Sequence, residues 1–260
     1  QLYLYFSKTE LIFSDLVTKF DRIAGGSLTT IDSYPSLVQV ESRYLVAEIW
    51  THTCGASVLT SRYMLSAANC FSGLFYNVRH RRVRAGTTYR GSYGLIRYAE
   101  QEFNHPTFGE QGNVGDITIV RLDNPLIYSP VIQQARIIAA GSVIPDNLPV
   151  IQAGWGHINE GGPYSPLLLD TTVYTVNNTV CRELYETLDR PAIVTDHMVC
   201  TGLLDEGGRG ACQGDFGGPL YYDSVVIGVS SWGHGCGNET FPSVNTAVSP
   251  YTNWILAIVG

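Results

Sequence analysis

The sequence carries little charge, and most of that charge is negative. Asp, Glu, Lys and Arg make up 15% of the 260 residues, and the net charge is −7 at pH 7. No overall positive field exists to attract phosphates or anionic lipid, so neither nucleic acid nor a membrane surface is expected as a partner. The sequence also lacks an apolar run of the roughly 18 to 20 residues that a membrane-spanning helix needs.

Patterns typical of metal and redox sites are missing as well. The six cysteines form no C-x-x-C pair, and the six histidines show no metal-ligand spacing. We therefore expect neither a metal nor another cofactor, and disulfide bonds are the better interpretation of the cysteines. Two N-x-S/T sequons, at Asn177 and Asn238, agree with passage through a secretory pathway. The sequence thus predicts a secreted, extracellular glycoprotein with disulfide bonds.

One basic run stands out from this acidic background. It consists of Arg79, His80, Arg81, Arg82 and Arg84. These residues alternate with Val78 and Val83 as in a half-exposed strand, and a solvated strand is the favoured interpretation. A site for a sulfated polymer is the alternative.

The pattern along the chain changes once, near residue 22. Ser7 to Glu10 has the spacing of a capping box, and the apolar residues that follow recur at helical intervals, which predicts a short amphipathic helix. From Ile23 onward, short β-branched and aromatic segments such as 36–40, 44–50 and 55–59 alternate with turn residues. They predict antiparallel sheets closed into barrels. Residues 251–259 predict a terminal helix.

Six motifs in register resemble the trypsin/chymotrypsin family of serine proteases, with insect digestive trypsins nearest in pattern. They are residues 22–26 (RIAGG), 65–70 (LSAANC), 116–122 (DITIVRL), 154–156 (GWG), 212–219 (CQGDFGGP) and 231–233 (SWG). The resemblance implies an all-β fold of two six-stranded antiparallel barrels, one over residues 23–137 and one over 138–260, the latter with a C-terminal helix. Residues 1–22 would then be a short helical extension like a pro-segment.

The resemblance also implies a set of covalent features. The family's disulfide pairing would join Cys54 to Cys70, Cys181 to Cys200 and Cys212 to Cys236. Cleavage after Arg22 would free the amino group of Ile23, which in the family pairs with the residue here numbered Asp215. Cleavage that still switches the shape of the molecule and an inherited remnant without that role are both open interpretations.

The family's three catalytic positions correspond to Asn69, Asp116 and Phe216 in this chain. The chemistry of the family needs a histidine base at the first position and a serine nucleophile at the third. An amide has no useful proton affinity near neutral pH, and a phenyl ring has no nucleophile. We therefore expect no catalytic residue here. We expect instead a dry contact of Phe216 with the first barrel and a hydrogen bond from Asn69 to Asp116 within about 3.2 Å, with Ser231 as a second donor.

The resemblance also locates the specificity pocket of the family, and its residues differ in this chain. Gly210 occupies the position where trypsin-like enzymes place the Asp that pairs with substrate Arg or Lys. Gly233 keeps one of the two glycines of the pocket wall, and Ser243 replaces the other and narrows the slot. A basic substrate side chain would lose its buried charge partner.

These observations together predict a function without catalysis. The leading hypothesis is an inactive serine protease homologue that binds another extracellular protein as an assembly subunit, a cascade cofactor or a decoy. Its N-terminal segment would pack on its own barrel, or would dock into a partner chain to form a hetero-oligomer. The alternatives are a storage or structural protein that reuses the fold, and an enzyme of another kind that uses Asp116 with a different nucleophile or a metal.

Overall fold

The computed structural model describes residues 25–44, 48–74, 76–110 and 112–260. The predicted N-terminal helix and the predicted cleavage site at Arg22 and Ile23 lie outside the described residues, as does any contact of Ile23 with Asp215. These expectations stay predictions.

The first half of the chain forms a closed six-stranded barrel. The short β1 (Ser27–Leu28) precedes this barrel. The six strands of the barrel are β2 (Leu37–Tyr44), β3 (Ile49–Val58), β4 (Tyr63–Ser66), β5 (Arg81–Ala85), β6 (Leu95–Asn104) and β7 (Thr118–Leu122). β2 to β7 close in the order β2-β3-β4-β7-β6-β5, and every pair is antiparallel. β-branched and other apolar residues fill the interior, among them Val38, Val58, Met64 and Ile119, all fully buried.

The second half of the chain forms a second barrel of six strands with two further strands attached. Its strands are β8 (Arg136–Ile137), β9 (Pro149–Gly154), β10 (Leu169–Val176), β11 (Met198–Gly202), β12 (Pro219–Tyr222), β13 (Val225–Trp232) and β14 (Ser243–Ala247). Six of them close in the order β9-β10-β11-β14-β13-β12, while β8 pairs with β13 and β1 pairs with β10. The predicted fold of two six-stranded antiparallel barrels is confirmed.

Two α-helices accompany the barrels. Helix α1 (Asn178–Glu186) begins where the side chain of Asn177 accepts hydrogen bonds from the amides of Thr179 and Val180. Helix α2 (Thr252–Val259) follows a 3₁₀ turn and confirms the predicted terminal helix. Neither has the length or the apolar character needed to cross a bilayer, and the same holds for every helix within the described residues.

Each end of the described chain contacts the barrel that is farther from it in sequence. β1 precedes the first barrel in sequence but pairs with β10 of the second. Helix α2 follows the second barrel, yet its Ile255 is fully buried in the apolar cluster that fills the first. The ring of His105, which follows β6, contacts the ring of Trp254 with 4.9 Å between centroids. Each barrel is therefore contacted by the chain end that adjoins the other barrel in sequence.

Three disulfide bonds form in the pairing that the resemblance implied. Cys54–Cys70 ties β3 to the turn that holds Asn69, Cys181–Cys200 ties α1 to β11, and Cys212–Cys236 joins two loops at the end of the second barrel. Their sequence separations are 16, 19 and 24 residues. In the chain-entropy account each closure stabilises the fold by about 3 kcal/mol.

The basic run is not the solvated strand that its alternation predicted. Arg84 is only 7% exposed, and its Nε lies 2.6 Å from Glu41, which is 1% exposed. Arg82 donates to the other oxygen of Glu41 and stacks on Trp50 at 4.4 Å from the ring centroid. The prediction was wrong for these two arginines because their partner on β2 lies about forty residues earlier and leaves no local signal.

Candidate functional site

The predicted site residues meet at the junction of the two barrels. Asn69 lies in the 3₁₀ turn Ala68–Phe71 between β4 and β5, and Asp116 lies shortly before β7. Phe216 belongs to the loop between β11 and β12, and Ser231 belongs to β13. The Nδ2 of Asn69 donates to the carbonyl of Ser231 at 3.2 Å, which joins one barrel to the other across the site.

Asp116 is the centre of the hydrogen-bond network. Its carboxylate is fully buried and accepts from the Asn69 amide N–H at 2.7 Å, from the Asn69 Nδ2 at 2.6 Å and from the hydroxyl of Ser231. The expected bonds from Asn69 and Ser231 are therefore present. Burial raises the pKa of Asp116 to about 6, and the donated hydrogen bonds lower it only in part.

Phe216 packs against the apolar cluster of the first barrel, as predicted, and its carbonyl accepts from the amide of Gly55 at 2.8 Å. The expectation of a dry, enclosed site was wrong, however, because Asn69 is exposed and Phe216 is only half-buried. The polar atoms of Asn69 bond inward while the rest of its side chain lines an open groove. The site is thus accessible from solvent on the side of the first barrel.

The loop around Phe216 is held by the buried side chain of Asp215. One carboxylate oxygen accepts from the amide of Gly156 at 2.8 Å and the other from the amide of Cys212 at 3.0 Å. Burial raises the pKa of Asp215 to about 6 as well. Gly214 and Gly217 on either side have φ values of 98° and 80°, in the region that favours glycine. This backbone therefore depends on glycines at both positions.

His52 is a site residue that the sequence analysis missed. It is 2% exposed, and its Nε2 lies 2.9 Å from the carbonyl of Gly214. Because a carbonyl accepts, Nε2 carries the proton, and burial lowers the pKa of the ring to about 4. A neutral histidine therefore supports the loop next to Phe216. Its partner is 162 residues away, so no local spacing reveals the contact.

The three predicted pocket residues lie together. A Cβ added to Gly210 would lie 3.2 Å from the hydroxyl of Ser243, and its other near neighbours are atoms of Gly237. A Cβ added to Gly233 would lie 3.5 Å from the Cα of Ser243. The three residues are therefore close neighbours, and apart from the adjoining chain the atoms nearest to Gly210 belong to uncharged residues.

The bonds of Asn69 lead to a stability prediction. Asn69→Ala is expected to lower the free energy of unfolding by about 1 to 3 kcal/mol, because the buried carboxylate of Asp116 loses a donor. Asn124→Ala is the control, since Asn124 is exposed and donates to Asp123 through its backbone. Urea denaturation checks the difference, and equal losses in the two variants would show that the Asn69 side chain does not stabilise Asp116.

Comparisons with known proteins agree with the fold and the motifs. Residues 23–255 match the family described as Trypsin. The chain is 43% identical over 235 residues to "Trypsin, alkaline A" of Manduca sexta, covering 90% of each chain. It is 38% identical over 243 residues to "Trypsin CFT-1" of Choristoneura fumiferana, covering 93% of each. It is 31% identical over 234 residues to "Vitellin-degrading protease" of Bombyx mori, covering 90% of this chain and 84% of the relative.

These relatives correct the functional predictions. Trypsins are enzymes, so the relatives contradict the prediction that this chain is not an enzyme and works as an inactive homologue. They contradict the storage or structural alternative in the same way. Asn69 and Phe216 stand at the two positions as described, but no contact in the structure shows a loss of activity. The error lay in the step from two residue types to the function of the whole molecule.

Proposed function

Because this chain belongs to the trypsin family, we propose that it is a secreted protein that acts on extended polypeptides held at the junction of its two barrels. The observation that carries the proposal is the proximity of Gly210, Gly233 and Ser243, which we propose line a narrow slot. It adjoins the loop of Phe216, and a narrow slot on an accessible site fits one side chain of an extended chain.

The slot supports a selectivity different from that for Arg or Lys. The atoms nearest to Gly210 belong to uncharged residues. A basic side chain that entered the slot would therefore lose its hydration and gain no ionic partner in exchange. The Ser243 hydroxyl shortens the slot further. We propose that small, uncharged residues such as Ala, Ser and Gly are preferred there.

Secretion and an extracellular protein ligand are part of the proposal. Three disulfide bonds favour an oxidising compartment. Of the two sequons, Asn177 is exposed and Asn238 is half-buried, so Asn177 is the better candidate for a glycan. The ligand would be an extracellular polypeptide, with the N-terminal segment as a further contact region.

A peptide library tests the proposal. The purified chain is mixed with peptides from a digested proteome, and mass spectrometry identifies both retained peptides and newly cut ends. We expect one position to be enriched in small uncharged residues and depleted in Arg and Lys. Gly233→Phe should remove the enrichment by filling the slot, whereas Thr172→Phe, at an exposed position on β10, should keep it. The proposal would be overturned if the chain neither bound nor cut any peptide. It would also be overturned if the two variants behaved alike.

A further inference from the structure

A groove of about 650 Å³ opens beside Asn69 and extends along the first barrel. Its basic lining residues are Arg43, His80 and Arg81, and none of its lining residues in the described part of the chain is acidic. Two carboxylates of the described residues lie at its edge: Glu48, which is exposed, bonds to Arg43 at 3.0 Å, and Glu102 interacts with Tyr76. The protein as a whole has a net charge of −7, whereas the lining of this groove carries positive charge.

Arg81 is held in one orientation at this groove. Its Nε donates to the carbonyl of Cys70 at 3.0 Å, its Nη1 donates to the carbonyl of His80 at 3.2 Å, and its guanidinium stacks on Tyr76 at 5.1 Å from the ring centroid. These contacts do not use Nη2. A cation fixed in this way loses little conformational entropy when an anion binds.

The rest of the basic run does not extend this positive surface. Arg82 and Arg84 share the buried carboxylate of Glu41, and neither lines the groove. Arg79 is exposed, but it does not line the groove. A sulfated polymer needs a continuous row of exposed cations, whereas this surface offers a concave site next to Asn69, where the polypeptide would pass. The geometry therefore favours a single acidic side chain as the ligand.

We infer that the groove binds a Glu or Asp side chain of the polypeptide and that Arg81 determines this specificity. The inference rests on the proposed function, because the same polypeptide occupies the slot at Gly210. The carboxylate would receive a charge-assisted hydrogen bond from Arg81, with Arg43 adding to the attraction.

The test uses labelled ten-residue peptides of Ala and Ser in which a single Glu is moved from position to position, each matched to a peptide with Gln. Fluorescence anisotropy gives Kd at 50 and 300 mM NaCl, and KM replaces Kd where a peptide is turned over. At one position Glu should bind about tenfold more tightly than Gln. The ratio should shrink at the higher salt concentration because the groove is open to solvent.

Variants assign the effect to the groove. Arg81→Gln should bring the Glu peptide to the level of the Gln peptide, and Arg79→Gln should keep the tenfold ratio. Arg81 also donates hydrogen bonds to two backbone carbonyls, so its replacement affects folding as well as binding. A second pair of variants leaves these bonds intact. Leu74 lines the groove and is 91% exposed, so Leu74→Glu should reduce the ratio while Leu74→Gln should leave it unchanged.

Three outcomes would overturn the inference. Equal binding of Glu and Gln peptides at every position would overturn it and leave the proposed function in place. No binding of any peptide would overturn both. A heparin octasaccharide that displaces the peptides, and whose own binding is lost in Arg79→Gln, would identify the surface as a polymer site instead.

Discussion

Gly156→Ala is expected to lower the free energy of unfolding by about 3 to 5 kcal/mol. An alanine Cβ at this position would lie 2.5 Å from the Cγ of Asp215, far inside van der Waals contact. Gly154, at the end of β9, lies against the same carboxylate, since a Cβ there would also clash with Asp215. The side chain would have to leave its bonds to Gly156 and Cys212, and a buried carboxylate without donors is costly.

Gly202→Ala is the matched control for this substitution. Gly202 also lies outside the left-handed region of φ, and a Cβ there would meet its nearest atom, the Cα of Pro242, at an ordinary 3.5 Å. We expect a change within about 1 kcal/mol, since alanine also reduces the entropy of the unfolded chain. Chemical denaturation measures both variants. Combining Gly156→Ala with Asp215→Ala should cost less than the sum of the single changes, and strict additivity would refute the clash with Asp215.

The buried carboxylate of Asp116 is expected to make stability depend on pH by about 3 kcal/mol. Its pKa is about 6 in the folded chain, against 3.8 for an ordinary aspartate. The folded state therefore holds the proton more tightly, so this contribution is present below about pH 4 and is lost as pH rises through about 6. In Asp116→Asn the contribution is absent. The stability of the native chain minus that of the variant should fall by about 3 kcal/mol between pH 3 and pH 7.

Urea denaturation at each pH gives this difference directly. Asp215 titrates in the same direction, while the lowered pKa of His52 stabilises the fold above about pH 6.5 and loses that effect as pH falls toward 4. Both groups are present in both proteins, so their contributions cancel in the difference. Asn124→Ala, which removes no ionisable group from an exposed position, should give a flat difference. A flat difference for Asp116→Asn would mean that burial does not shift its titration.

Most of the fold could be predicted from the sequence, because strands and turns leave local residue patterns and the family leaves short motifs. The strand predicted at 36–40 is the beginning of β2, and the one at 55–59 is the end of β3. The strand predicted at 44–50 was wrong. β2 ends at Tyr44, β3 begins at Ile49, and Glu48 has a φ of 53° in the turn between them. The β-branched and aromatic residues on both sides of the turn concealed it.

The site was less predictable because its important contacts join distant parts of the chain. The bonds of Asn69 and Ser231 to Asp116 could be expected from the motifs. The contact of His52 with Gly214 and the ion pairs of Glu41 could not, because each joins residues far apart in sequence. Helix α1 was also missed, although Asn177 has the residue type of an N-cap. Asn177 also begins a sequon, and that pattern predicts a glycan rather than the start of a helix.

The crossing of the chain ends has a consequence for how the molecule is made. A ribosome releases the chain from its N terminus, so all strands of the first barrel emerge before those of the second. Yet Ile255 and Trp254 of α2, which cover the first barrel, emerge after β14. Part of the apolar surface of the first barrel therefore stays uncovered while more than a hundred residues are translated. During that interval the nascent chain is prone to aggregate through this surface.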